Sequence, residues 1–110
     1  MPIAVEVRRR GRSPQRDYAT NLSPSGLCLH SREPLPAGEP VLLVFDLPGE
    51  PGPIEIRGRV IWSERVDPAV GARFFEAGVR IEVLGESERE RIARFVRLCE
   101  LCEPDDPRPS

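Results

Sequence analysis

The sequence predicts a mainly β domain: a small antiparallel barrel or sandwich of about six strands, followed by one α-helix that covers an open end or face. Three observations lead there. Short apolar runs recur with an alternating period, and nine glycines and thirteen prolines supply turn signals around them. The period becomes helical only after Ser87. At 110 residues the chain has room for one modest core, so a single domain over residues 1–102 is expected, with residues 103–110 as a flexible tail.

The elements follow in order. "IAVEVRR" alternates apolar with polar, "GRSP" signals a turn and "QRDYAT" resumes an extended pattern, which together read as a hairpin. After a loop rich in Asn, Ser and Gly, "GLCLHS" gives Leu27 and Leu29 to one face and Cys28 and His30 to the other. "REPLPAGEP" reads as loop, and "VLLVFDL" as a strand ended by "PGEPGP". "IEIRGRVIW" places Ile54, Ile56, Gly58, Val60 and Trp62 on one face in strict alternation. "RFFEAGVRIEV" forms one long strand or two short ones hinged near Gly78. Ser87 and Glu90 have the spacing of a capping box, and Ile92, Phe95, Val96, Cys99 and Cys102 recur at helical spacing, so a helix spans about residues 87–102.

Charge and cysteine content narrow the function. A net charge of −2 gives no general attraction to nucleic acid or anionic membranes. All the basic side chains are arginine, and residues 1–16 hold five of them against one glutamate. No apolar run approaches the roughly 20 residues of a membrane helix, and the amino terminus lacks the order of a secretion signal, so a cytoplasmic protein without membrane insertion is expected. Three cysteines, an odd number, fit reduced thiols better than a disulfide framework.

The order of these features resembles the PilZ domain. The segments that carry the likeness are the hairpin, "NLSPSG" leading into an apolar strand, "PLPAG", "GRVIW", "AGVRI" and a closing helix, from about Ile3 to Leu101. The most specific is the D/N-x-S-x-x-G signature, matched by Asn21, Ser23 and Gly26. The resemblance implies a six-stranded antiparallel β-barrel, not an enzyme, that binds cyclic di-GMP and passes the event to a protein partner in a motility or surface-polysaccharide pathway. It implies that Asn21 and Ser23 contact base or phosphate and that Gly26 shapes the loop. Arginine forks suit the phosphates and guanine edges of such a ligand.

In the family those arginines form an R-x-x-x-R segment leading into the first strand. Here the R-x-x-x-R match is Arg8 to Arg12, at the end of the first strand and in its turn; only one strand fits between Arg12 and Asn21, so the family's segment would fall ahead of Met1. That segment is then either absent or lies ahead of residue 1; as it stands, the sequence looks closer to a subgroup that lacks these arginines and acts as a protein-binding adaptor without the nucleotide. The alternative is a cyclic di-GMP receptor using Asn21, Ser23, Gly26 and the hairpin arginines Arg8, Arg9 and Arg12.

Other constellations carry less. No aromatic residue interleaves with Arg8–Arg12 and only Tyr18 lies near, so a solvated turn or an acidic protein partner fits better than DNA or RNA. Cys28-x-His30 and Cys99-x-x-Cys102 offer the four ligands of a structural zinc site, but the helical cysteines belong to an apolar stripe and close their helix, so no metal, cofactor or redox centre is expected. His30 is the sole histidine and has no identifiable catalytic neighbour. Trp62 reads as core or rim packing. Phe74 and Phe75 must point to opposite faces, so one of them is a candidate, with the arginine hairpin, for a partner-binding surface.

Overall fold

The computed structural model describes residues 2–102. Six strands close into one antiparallel barrel: β1 (Ile3–Arg8), β2 (Gln15–Thr20), β3 (Gly26–Ser31), β4 (Pro40–Phe45), β5 (Ile54–Val66) and β6 (Phe74–Val83), followed by α1 (Glu86–Cys102). Around the barrel the order is β1-β2-β3-β6-β5-β4. The expected residues 103–110 tail lies outside the described residues.

Alternation explains the interior. Ile3, Val5, Val7, Leu27, Leu29, Val41, Leu43, Phe45, Ile54, Ile56 and Val60 all point inward and are buried, together with Leu35 from the β3–β4 loop. Each large aliphatic side chain buried in this way stabilises the fold by roughly 1.5–3 kcal/mol. The apolar run of β4 does not bury both faces: Leu42 and Val44 are half-buried on the outer wall.

Trp62 breaks the strict alternation expected for β5. Val60 pairs with Val79 and Trp62 with Gly78, so Ile61 is an extra residue in β5, a β-bulge that turns the following side chain outward. Trp62 therefore leaves the interior and is 42% exposed. Its indole lies over Gly78, where a Cβ would collide with the ring.

The helix also begins earlier than the Ser87–Glu90 spacing suggests. Gly85 occupies the N-cap: its carbonyl accepts the Arg89 amide at 2.9 Å, and the Glu88 carboxylate folds back over it. Ile92 and Phe95 are buried, and Val96 and Cys99 pack against the same core. Arg91 donates to the carbonyls of Pro51 and Gly52, each at 2.6 Å, while Arg94 forms a fork on Glu50 at 2.8 and 3.1 Å. The fork holds the Glu50 carboxyl below its usual range, chiefly through the hydrogen bond from Arg94. These contacts fasten α1 to the β4–β5 loop, and with it to one end of the barrel.

Strict antiparallel order fixes what lies at each end. One end carries the entry to β1, the β2–β3 loop, the β4–β5 loop and the helix. The other carries the β1–β2 hairpin, the β3–β4 loop and the β5–β6 loop.

Candidate functional site

The β2–β3 loop holds the Asn21, Ser23 and Gly26 signature, and local chemistry accounts for much of it. Asn21 sits at φ +54°, in the left-handed region that Asn tolerates better than most residues. The Ser23 amide donates to the Gly26 carbonyl at 2.9 Å, and the Gly26 amide returns a 3.3 Å bond to Ser23. The Ser23 hydroxyl is 2.9 Å from that of Ser25 and accepts from the Ser25 amide at 3.3 Å. It is therefore already engaged within its own turn, while Asn21 is exposed.

Gly26 is needed for another reason. It pairs with Arg80 of β6, and a Cβ on it would collide with the Val79 carbonyl oxygen. Gly26→Ala is accordingly expected to cost about 1–3 kcal/mol through displacement of the β3–β6 ladder, against less than about 1 kcal/mol for Ser23→Ala. Chemical denaturation of the two variants measures the difference. Arg80 itself was not singled out by the sequence. Its exposed side chain lies in register with the loop and, among the described residues, pairs with Glu82 at 3.6 Å; the outward parity of "GVRI" is the signal that places it there.

The arginines of residues 8–12 lie at the opposite end. Val7 pairs with Gln15 and Ile3 with Ala19, so the hairpin and the β2–β3 loop are separated by the whole of β2, about 17 Å at the usual rise per residue. Arg8 is exposed and paired with Glu6 at 2.7 Å. Arg10 and Arg12 are exposed. Arg8 and Arg10 line a groove of about 330 Å³ with Leu42, Arg57 and Glu82 on the outer wall.

Arg9 differs from its neighbours: its side chain is 2% exposed. The guanidinium donates to Gln15 Oε1 at 3.0 Å and to the Pro34 carbonyl and Glu39 at 3.4 Å, and it reaches Glu33 at 3.5 Å. Gln15 passes the network on to Asp17 at 2.8 Å and Ser31 at 2.9 Å. Arg9 is thus a tie between the β1–β2 hairpin and the β3–β4 loop.

Asp17 is the buried acid of this network. Burial pushes its carboxyl up, opposed by hydrogen bonds from Gln15 and Ser31 and by the charge of Arg9. A raised carboxyl favours the folded state when protonated, so this contribution is full below the unfolded value near 3.8 and is lost as pH rises through the folded one. The stability difference between wild type and Asp17→Asn should therefore move in favour of wild type as pH falls from 7 to 4, as read by urea unfolding.

Beside this network, Arg16, Tyr18, His30, Arg32 and Phe74 surround a hollow of about 230 Å³ on the outer wall. Phe74 stacks on His30 with centroids 5.6 Å apart. Neither Phe74 nor Phe75 is fully exposed; both are half-buried. Cys28, His30 and Glu76 also come together on this wall, whereas Cys99 packs against the core and so does not join Cys28 and His30. The side chain of Cys102 lies outside the described residues. Burial pushes the Cys28 thiol up, and Glu76 adds to the effect.

The chain matches the family model of the PilZ domain over residues 1–98. No curated protein matches it. Among solved structures it is similar to Bacillus subtilis inhibitor of motility (MotI/DgrA), with TM-score 0.76 and 15% identity over 96% of this chain and 50% of that one. It is also similar to the PilZ domain with c-di-GMP of YcgR from Escherichia coli, with TM-score 0.72 and 14% identity over 94% and 88% of the two chains. The PilZ domain of CeSA from a cellulose-synthesizing bacterium gives TM-score 0.61 and 20% identity over 91% and 94%. The chain spans half the length of the MotI/DgrA chain. At these identities the structural likenesses show the fold. Among the described residues, no helix is long and apolar enough to cross a membrane.

Proposed function

The chain belongs to the PilZ domain family, and from that premise we propose that it is a non-enzymatic regulatory domain of cyclic di-GMP-type signalling with an incomplete nucleotide site. It acts in this reading as an adaptor that docks a protein partner in a motility or polysaccharide pathway. PilZ domains are regulatory binding domains. Similarity to the YcgR domain with c-di-GMP, to an inhibitor of motility and to the PilZ domain of CeSA supports the pathway class.

One observation carries the incomplete site. The signature loop and the R-x-x-x-R match stand at opposite ends of the barrel, which supports a reading in which Asn21 and Ser23 do not share a ligand with Arg8 or Arg12. Arg9 is further committed to its buried network. Each missing charge-assisted contact to phosphate or guanine removes roughly 1.5–3 kcal/mol of affinity, and two of them amount to a loss of about 100-fold or more.

The partner surface belongs to the end that holds the arginine hairpin. Arg16 and Arg32 are exposed around half-buried Phe74 and exposed Tyr18, and the hairpin adds exposed Arg10 and Arg12 at the same end, a set of cations suited to an acidic protein face. The cyclic di-GMP receptor is the second reading, favoured by the intact Asn21, Ser23 and Gly26 signature. Calorimetric titration separates the two. The adaptor reading expects no saturable heat at micromolar cyclic di-GMP; micromolar or tighter binding, lost in Ser23→Ala or Arg8→Ala, would establish the receptor instead.

A further inference from the structure

We propose that Cys28, His30 and Glu76 form a binding site for one Zn²⁺ ion on the outer wall of the barrel. One ligand atom from each residue lies within 4.8 Å of the other two. Cys28 Sγ is 4.0 Å from Glu76 Oε2, close to the 3.3–3.8 Å edges that follow, roughly, from zinc–ligand bonds of about 2.0–2.3 Å. Rotation of the Glu76 side chain can supply the remaining contraction.

The scaffold explains why these three donors meet. Cys28 and His30 are two apart on β3 and share its outer face, and His30 faces Glu76 across the β3–β6 ladder. Phe74 stacks on the imidazole and fixes its plane, while the Thr20 hydroxyl lies 3.3 Å from His30 Nε2. Opposite Cys28 stands Gly78, whose missing side chain is replaced by the Trp62 indole. The donors are half-buried, held on paired strands rather than on loops.

The donor set selects the ion. Thiolate, imidazole and carboxylate together suit a borderline cation such as Zn²⁺, whereas Ca²⁺ and Mg²⁺ require oxygen donors throughout. The Cys28 thiol gives up its proton to solvent as the sulfur–zinc bond forms, and no oxidant or reductant takes part. The thiolate and the Glu76 carboxylate then balance the ionic charge. Three protein ligands leave a fourth position for water or for a donor from a partner.

Chelator-treated protein titrated with zinc chloride, followed by dialysis and elemental analysis, tests the site. One equivalent is expected. Cys28→Ser and His30→Gln should each weaken binding by about 100-fold or more, since loss of an outer-shell contact alone costs about 10–100-fold. Cys99→Ser should leave binding unchanged. Circular dichroism verifies that each variant is folded. If a β3 variant fails to fold, two measurements still decide. A thiolate-to-metal charge-transfer band should appear when wild type takes up Co²⁺, and zinc binding should weaken in Glu76→Gln. No zinc uptake at micromolar concentration, uptake that survives Cys28→Ser, or loss on Cys99→Ser would overturn the proposal.

Discussion

Arg9→Ala should lower stability by about 3 kcal/mol, on the order of 10–20 °C in melting temperature, while Arg10→Ala and Arg12→Ala stay within about 0.5 kcal/mol of wild type. The three residues belong to one basic run, yet only the first is buried. Removing its guanidinium leaves Gln15 Oε1 and the Pro34 carbonyl without their donor and uncouples the hairpin from the β3–β4 loop. The pair with Glu33 contributes little of this, because Glu33 is largely exposed; the cost comes from the half-buried partners Gln15 and Glu39 and from the lost packing of the buried Arg9 side chain. Thermal unfolding of the three variants checks the ranking, and equal shifts for Arg9 and Arg12 would show that the buried network does not exist in solution.

The second large effect is a gain. Ile3 pairs with Ala19, so β1 is entered at the end of the barrel that carries Asn21 and Ser23. Joining a segment that bears R-x-x-x-R ahead of residue 1 would place two guanidinium forks beside the signature loop. At roughly 1.5–3 kcal/mol per charge-assisted contact, affinity for cyclic di-GMP should rise by about 100-fold or more. Ser23→Ala in the extended chain should remove much of the gain. Titration calorimetry reads both numbers, and an extension that changes nothing would mean that the loop is a turn and no part of a ligand site.

Much of this architecture was legible in the sequence because alternation is a local property. The inward set of β1, β3 and β4 and the helical stripe through Ile92, Phe95 and Val96 are found where the pattern puts them. The same parity, carried one step past Val7, would have marked Arg9 as inward; the surrounding run of arginines hid it. Trp62 was misplaced because a bulge at Ile61 shifts parity without leaving a turn residue in the sequence. Gly85 as helix cap was obscured by the Ser87–Glu90 spacing, which has the form of a cap but lies inside α1. Glu76 could not be joined to Cys28 and His30 from sequence alone. That contact depends on the register of β3 with β6, strands far apart along the chain.

The separation of the signature loop from the arginine hairpin is the claim on which the functional reading depends, and spectra of the isotopically labelled chain test it most directly. Backbone amides of Asn21, Ser23 and Gly26 and the side-chain Nε–Hε groups of Arg8 and Arg12 are followed while cyclic di-GMP is added to micromolar concentration. The account predicts that neither set of resonances moves in a saturable way. Concerted, saturable shifts of the loop and of the hairpin arginines, fitting one affinity, would contradict it.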